Sequence, residues 1–371
     1  MNNFKLNIRQ QILLWICCFS FLVGFTQPAS LSNQAEISVL TCGIGDEMYT
    51  LFGHTALRVN DPAQNLDVVY NWGMFDFRTP NFYSKFVRGD LLYYLDVDRF
   101  SDFLYSYTLN NREVVEQVLD LSEREKEEIW TEINRQLKDD DRYYTYGFIR
   151  NNCTTKVVDV INKSIENPLV TNFPSNNYSY RYLLNEGLSN HYFEKLGINL
   201  LFGYPTNKKS DLMFLPVKLK EGISYNNGVL KSEKVLNTID KTQNKIRFNS
   251  IYTLWALVVV FAFGALNRKI QLLYFLVVGL FSVFLLIVSL YTHHAELHFN
   301  MLILLYNPLF FIGLLLKNKK LLWLAIALSC LSLFFFGFEL IRVAAPLIVL
   351  NLIYIVVLFL YTRSKKVTLH A

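Results

Sequence analysis

Two short segments carry the side chains best suited to covalent chemistry. In Leu51-Phe-Gly-His-Thr-Ala-Leu-Arg-Val59, His54 opens an alternating run. In Tyr146-Gly-Phe-Ile-Arg-Asn-Asn-Cys-Thr-Thr155, Cys153 follows two asparagines. The alternation places His54 at the start of a strand. The apolar run Val157-Val-Asp-Val-Ile161 predicts a helix that begins near Asn152. A thiol on the first turn of a helix meets oriented N–H groups that favour the thiolate. A neighbouring imidazole would complete an activated nucleophile, taking the thiol proton or pairing with the thiolate. The backbone N–H of Cys153 would also help to hold an oxyanion. A third polar group on the adjacent strand would fix the imidazole tautomer. Asn71, near the end of the next predicted strand, is chosen for that role, with Asp76 and Asn60 in reserve.

Other polar residues are candidates for substrate binding. Asp46, Glu47 and Arg58 flank His54 and suit a headgroup, although a local ion pair or a solvated cluster would use the same residues. Asn151 and Asn152 precede the thiol. His294 and Asn300, in a much later loop, are expected to contact substrate or the soluble domain. His293, His294, Glu296 and His298 lack a preceding helix signal and the usual metalloprotease spacing, so no metal and no cofactor is expected. Glu339 and Arg342 have the i,i+3 spacing of a helix-end ion pair, and Arg342 could also meet a lipid phosphate. Of five cysteines, Cys17 and Cys18 lie in an N-terminal apolar run and Cys330 in a later one. Only Cys42 and Cys153 remain outside, and in an oxidising compartment they could form a plain disulfide.

The elements that must position these groups read as α+β. Strands are expected at 36–42, 55–60, 66–72, 91–98 and 113–120, with an aromatic-rich amphipathic stretch at 79–89. Ser122 caps a helix running to Leu137, and Asn226-Asn227-Gly228 predicts a hairpin near the membrane. The domains follow as a signal peptide (1–29), a Cys/His catalytic domain (30–216), a juxtamembrane hairpin or linker (217–249) and a membrane region (250–371).

Charge supports that division. The 371 residues carry +5 overall, made of +2 in residues 1–27, −4 in 28–249 and +7 in 250–371. Such segregation excludes a single soluble globule, a disordered chain and a basic nucleic-acid domain, so no nucleic acid is expected as a partner. Lys5 and Arg9 precede the apolar run Ile12 to Phe25, with small residues near Ala29 and Ser30, in the manner of a secretory signal. Five apolar stretches follow at about 251–266, 270–291, 301–316, 321–338 and 343–361, each expected to be a membrane helix. Arg268 and Lys269, then Lys317, Lys319 and Lys320, then Arg363, Lys365 and Lys366 mark cytoplasmic turns. The loop 292–300, free of Lys and Arg, is exported. An odd number of spans leaves residues 28–249 outside, in agreement with the signal.

A strand-borne His followed late by Asn-Cys opening a helix resembles the circularly permuted NlpC/P60 arrangement. That order is shared with lecithin:retinol acyltransferase-like enzymes, a papain-like core whose His precedes its Cys. More closely, several segments resemble the exported domain of Bacteroidota Lnb-type lipoprotein N-acyltransferases. They are Leu40-Thr-Cys-Gly-Ile-Gly-Asp-Glu-Met-Tyr49, Phe52-Gly-His-Thr-Ala-Leu-Arg58, Asn71-Trp-Gly-Met-Phe-Asp-Phe77, Pro80-Asn-Phe-Tyr83, Arg150-Asn-Asn-Cys-Thr-Thr155, Gly197-Ile-Asn-Leu-Leu-Phe-Gly203 and Met213-Phe-Leu-Pro216. The likeness covers roughly residues 36–216 and extends to the His-containing loop and Asn307-Pro308. It implies Cys153 as nucleophile and His54 as base. It also implies an acyl chain moved from a phospholipid donor to the N-terminal amine of a diacylated lipoprotein at the bacterial inner membrane. The resemblance does not supply the third catalytic group. Two other readings stand beside it: a cell-wall peptidase or amidase on the same Cys/His core, and a non-catalytic envelope scaffold with Cys42 bonded to Cys153.

Overall fold

A computed structural model of the chain describes residues 30–138, 140–239 and 248–364. The expected signal segment at 1–29 and the basic residues Lys365 and Lys366 lie outside the described residues. Seven strands build one antiparallel sheet: β1 (Glu36–Cys42), β2 (His54–Asp61), β3 (Leu66–Met74), β4 (Leu92–Arg99), β5 (Val114–Leu119), β6 (Tyr143–Thr145) and β7 (Leu230–Asn237), in the order β6-β4-β3-β2-β1-β5-β7. Helices α1 (Phe82–Arg88), α2 (Phe100–Leu109), α3 (Glu123–Lys138), α4 (Cys153–Ser164), α5 (Tyr180–Gly187), α6 (Tyr192–Leu201) and α7 (Pro216–Tyr225) accompany it.

Side-chain alternation decides what each face of the sheet meets. On β1, Ile37 and Val39 point to the face covered by Ile129 and Ile133 of α3 and by Val157 and Ile161 of α4. Leu40 and Cys42 point to the other face, against Phe103 and Tyr107 of α2. The central strand is therefore apolar on both sides, while the amphipathic α3 turns its charged residues outward. The segment 217–249 departs from the expected hairpin or linker. Residues 216–225 form α7, whose Leu219 and Ile223 pack into the main core, and β7 pairs with β5 as the seventh strand. Asn226-Asn227-Gly228 makes a turn, but it joins a helix to a strand.

The C-terminal part contains α8 (Ile251–Ala262), α9 (Arg268–Tyr291), α10 (Leu302–Leu305), α11 (Leu309–Leu315), α12 (Lys319–Leu333) and α13 (Phe338–Ser364). Among the described residues three segments are long and apolar enough to cross a membrane: Arg268–Tyr291, Ala295–Leu315 and Phe338–Tyr361. This corrects the expectation of five membrane helices. Ile251–Leu266 is apolar but shorter. The 15 residues of α12 reach only about 22 Å, against roughly 30 Å of hydrocarbon. The middle segment is broken at Asn307-Pro308, where proline ends α10 and α11 begins afresh.

Two features join the sheet domain to these helices. Tyr192 and Leu196 of α6 pack with Leu254, Leu285, Leu302 and Leu340. The loop between α9 and α10 enters the sheet domain, burying Thr292, His294, Glu296 and Asn300.

Candidate active site

His54 is the first residue of β2, opposite Cys42 on β1. The preceding Gly53 has φ +80°, and a Cβ there would lie 2.4 Å from the Cys42 carbonyl oxygen. Only glycine lets the chain turn so tightly into the strand. Nε2 of His54 lies 3.2 Å from Oδ1 of Asn71, which is buried on β3. The Asn71 amide in turn donates to Asp98 at the end of β4 (2.8 Å). Asp98 extends the chain to four residues, and spacing gave no sign of it. It enters because β3 and β4 pair with Asn71 beside Asp96, one strand pair from Asp98.

Cys153 is the first residue of α4. Its helix starts through a capping box: Asn152 accepts from the N–H of Thr155 (3.0 Å), and the Thr155 hydroxyl accepts from the N–H of Asn152 (2.9 Å). The thiol comes close to the sheet because Gly73 on β3, at φ +97°, has no side chain; a Cβ there would lie 3.6 Å from Cys153 Cβ and 3.9 Å from the Tyr144 hydroxyl. The hydroxyls of Thr55 and Thr154 meet at 3.0 Å and lock the helix start to β2.

Electrostatics bind the pair together. Burial opposes ionisation of Cys153, but the charge and hydrogen bond of His54, the N–H of Thr55 and the Thr154 hydroxyl bring its pKa below the ordinary thiol value. Burial likewise opposes protonation of His54, and the neighbouring Cys153 together with Asn71 lifts its pKa above the usual imidazole range. The thiol and the imidazole each favour the other's charged form, and Asn71 orients the ring. Cys42 is the opposite case. Burial pushes it up to about 12, outweighing the Tyr107 hydrogen bond and Arg112. Both Cys42 and Cys153 are free thiols, as is Cys330, so the disulfide required by the scaffold reading is not formed.

The remaining candidates separate by position. Asn152 spends its amide N–H groups on the carbonyls of Phe148 and Phe214 (both 3.0 Å), and Asn151 donates to the Thr145 carbonyl (2.6 Å). Both amides brace the nucleophile loop, a correction to their assignment to substrate. Arg58 lies four residues along β2 from His54, roughly 13 Å away. It is taken up by Asp67 and Glu116 (both 2.8 Å) and the Phe100 ring, which removes it from the site. The reserve Asp76 is paired with Arg78 (2.7 Å), and Asn60 is near the far end of β2, opposite Glu36. Asp46 and Glu47 are exposed in the loop after β1.

The α9–α10 loop stands behind the nucleophile loop. Nε2 of His294 lies 2.9 Å from the Phe86 carbonyl oxygen, its ring against Phe148. Glu296 accepts from the N–H of Ile149 (3.1 Å), four residues before Cys153, and its own carbonyl accepts from Gly203 (2.7 Å). Asn300 donates to the carbonyls of Leu200 and Leu201. His294 and Asn300 thus bind the sheet domain, and the His-rich loop serves as a brace. In the sequence Glu296 stands out only within a His/Glu cluster from which no metal is expected; its contact with the nucleophile loop spans 147 residues and leaves no local signal.

Residues 27–186 match the family model described as the Lnb N-terminal periplasmic domain, a span that contains β1 to β6 and every member of the Cys153–His54–Asn71–Asp98 chain. No curated protein and no solved structure matches the chain.

Proposed function

The chain belongs to the Lnb family, and on that premise we propose that it is a membrane-anchored cysteine acyltransferase of lipoprotein maturation. It would move an acyl chain from a phospholipid to the N-terminal amine of a diacylated lipoprotein. The observation that carries this reading is the pairing of Cys153, at the start of its helix, with a His54 ring held by Asn71, inside the Lnb domain. The strand-borne His preceding a helix-borne Cys supports a permuted papain-like core.

In the first half-reaction the Cys153 thiolate attacks the ester carbonyl of the donor. The tetrahedral oxyanion is met by the N–H of Cys153 and by the buried Tyr144 hydroxyl, which has no hydrogen-bond partner among the described residues and lies over Gly73. As the C–O bond breaks, His54 gives its proton to the departing alkoxide, leaving a thioester and a lysophospholipid. In the second, the neutral α-amine of the acceptor attacks the thioester. His54 takes the proton, the C–S bond breaks, and the thiolate returns with an amide formed. Asn71, held by Asp98, keeps the ring aligned through both transfers.

The chain's path supports a multi-pass protein of the inner membrane. The loop 292–300 and the start of α13 meet the periplasmic domain; Asn185 donates to Glu339 (3.1 Å) and Tyr192 to the Val343 carbonyl (2.9 Å). The turns carrying Arg268 and Lys317–Lys320 lie at the opposite helix ends, in agreement with the positive-inside rule. A nucleophile loop braced by a membrane-proximal loop favours a lipid-borne substrate over a soluble cell-wall peptide. The deciding measurement is mass spectrometry of lipoprotein N-termini from cells carrying Cys153→Ala and no redundant enzyme. Loss of the N-acyl group is expected; unchanged N-acylation would refute the assignment.

A further inference from the structure

An exposed run of aromatic and apolar side chains lies along the end of the sheet that holds Cys153. Met48, Tyr49, Phe77 and Tyr83 are 81%, 63%, 60% and 76% exposed. They form a continuous ridge, since Tyr49 meets Phe75 edge-on at 5.8 Å, Phe75 meets Phe77 at 5.0 Å, Phe77 meets Phe82 at 4.9 Å and Phe82 meets Tyr83 at 5.4 Å. Aromatic side chains of roughly 150–250 Å² each, more than half uncovered, leave an apolar patch on the order of 400 Å², within the size range of the largest patch on a typical soluble monomer, which is often a functional one. Phe75 continues inward to Tyr93 (5.1 Å) and Tyr93 to Tyr146 (4.5 Å), and Phe75, Phe82 and Tyr146 border the same core as Cys153.

The ridge is fixed to the end of an apolar helix. At the C-terminus of α1 the Thr292 hydroxyl donates to the Val87 carbonyl (2.7 Å), the N–H of His293 donates to the Arg88 carbonyl (2.6 Å), and Arg88 stacks over Tyr291 at 5.3 Å. Leu290 and Tyr291, the last residues of α9, are exposed, as are Val87 and Tyr83 one and two turns along α1. Exposed apolar side chains of α9 thus adjoin those of α1 and the ridge, with the polar cluster Arg88, Asp90 and His293 at the junction. Tyrosine and phenylalanine are suited to the boundary between headgroups and acyl chains.

We infer that this ridge is seated in the outer leaflet of the bilayer, so that the mouth of the Cys153 site opens into lipid and acyl chains reach it along Phe77, Phe82 and Phe75 without crossing water. The inference rests on the membrane placement of α9 given above, but not on the identity of the transferred group. It is tested on the full chain carrying Cys153→Ala, reconstituted in phosphatidylethanolamine/phosphatidylglycerol vesicles, with benzoylphenylalanine at position 77, 83, 63 or 284. Position 284 lies on α9, and Ala63 sits in the turn at the opposite end of the β2–β3 pair. Irradiation is expected to give lipid adducts at 77, 83 and 284 and none at 63. Adducts at 284 without adducts at 77 and 83 would overturn the ridge while leaving the membrane placement intact. Absence at all four positions would overturn both, and neither outcome bears on whether Cys153 transfers acyl groups.

Discussion

At the scale of single residues, two thiols in one small domain are shifted in opposite directions. Cys42 is buried and pushed up to about 12, while Cys153 is half-buried and brought below its ordinary value. The difference lies in what faces each sulfur. Cys153 has an imidazole, a backbone N–H and a helix start, whereas desolvation dominates at Cys42. Alkylation by iodoacetamide should therefore label Cys153 and spare Cys42 at neutral pH. The sign follows from the shifts: the lowered thiol pKa extends the thiolate to lower pH, and the raised imidazole pKa extends the neighbouring positive charge to higher pH. Labelling of Cys153 should then continue as pH falls below the usual thiol range and fade only below its own lowered pKa. In His54→Ala the inflection should move upward, because the charge and hydrogen bond that oppose burial are gone. An unchanged profile in His54→Ala would remove His54 from the pair. The residues behind this behaviour were legible in sequence as types, a His entering a strand and a Cys entering a helix. Asp98 was not, because its role depends on β3–β4 pairing, which neither segment encodes locally.

At the scale of elements, the strands were read well where alternation was clean, and β1 to β5 lie within a residue or two of their expected limits. The errors have physical causes. The segment 217–249 reads as a juxtamembrane hairpin or linker because β7 is polar on its exposed side and pairs with a strand more than a hundred residues away. The apolar stretch 301–316 satisfies a length rule, but Pro308 removes a backbone donor and divides it. The α9–α10 loop shows how an element can act on chemistry that it does not perform. Its Glu296 holds the N–H of Ile149, and Ile149 leads through Asn151 and Asn152 to the thiol. Glu296→Ala leaves that donor unsatisfied at a cost of about 1–3 kcal/mol. A loosened nucleophile loop should lower acyl transfer by about 10²-fold, the typical effect of a displacement near 1 Å. Glu296→Gln keeps an acceptor oxygen and should restore most of the rate. Equal losses in the two variants would show that the carboxylate charge, and not the hydrogen bond, is what matters.

At the scale of the whole molecule, the periplasmic domain and the apolar helices share buried surface. Ile149, Leu183, Phe202 and Phe214 pack with Val288 and Leu297 from the α9–α10 segment, and Gly203 lies so close to His298 that a Cβ would fall 1.8 Å from its carbonyl oxygen. Separating the two parts exposes that core and frees the loop before Cys153. A chain ending at residue 249 is therefore expected to melt at lower temperature than the full protein and to lose the rapid alkylation of Cys153. Equal melting and equal labelling would mean that the periplasmic domain is complete without the helices.

The threading of residues 292–300 also sets an order of assembly. In the proposed topology, with synthesis running from the N-terminus, the strand bearing His54 and the helix bearing Cys153 would reach the far side of the membrane before α9 and α10 are made. The brace behind Ile149 arrives only when those later helices have been inserted and their connecting loop has been delivered across. Completion of the nucleophile loop is thereby coupled to completion of the anchor. A newly exported thiol acquires its final setting at the moment the chain is fixed beside the lipids on which it would act.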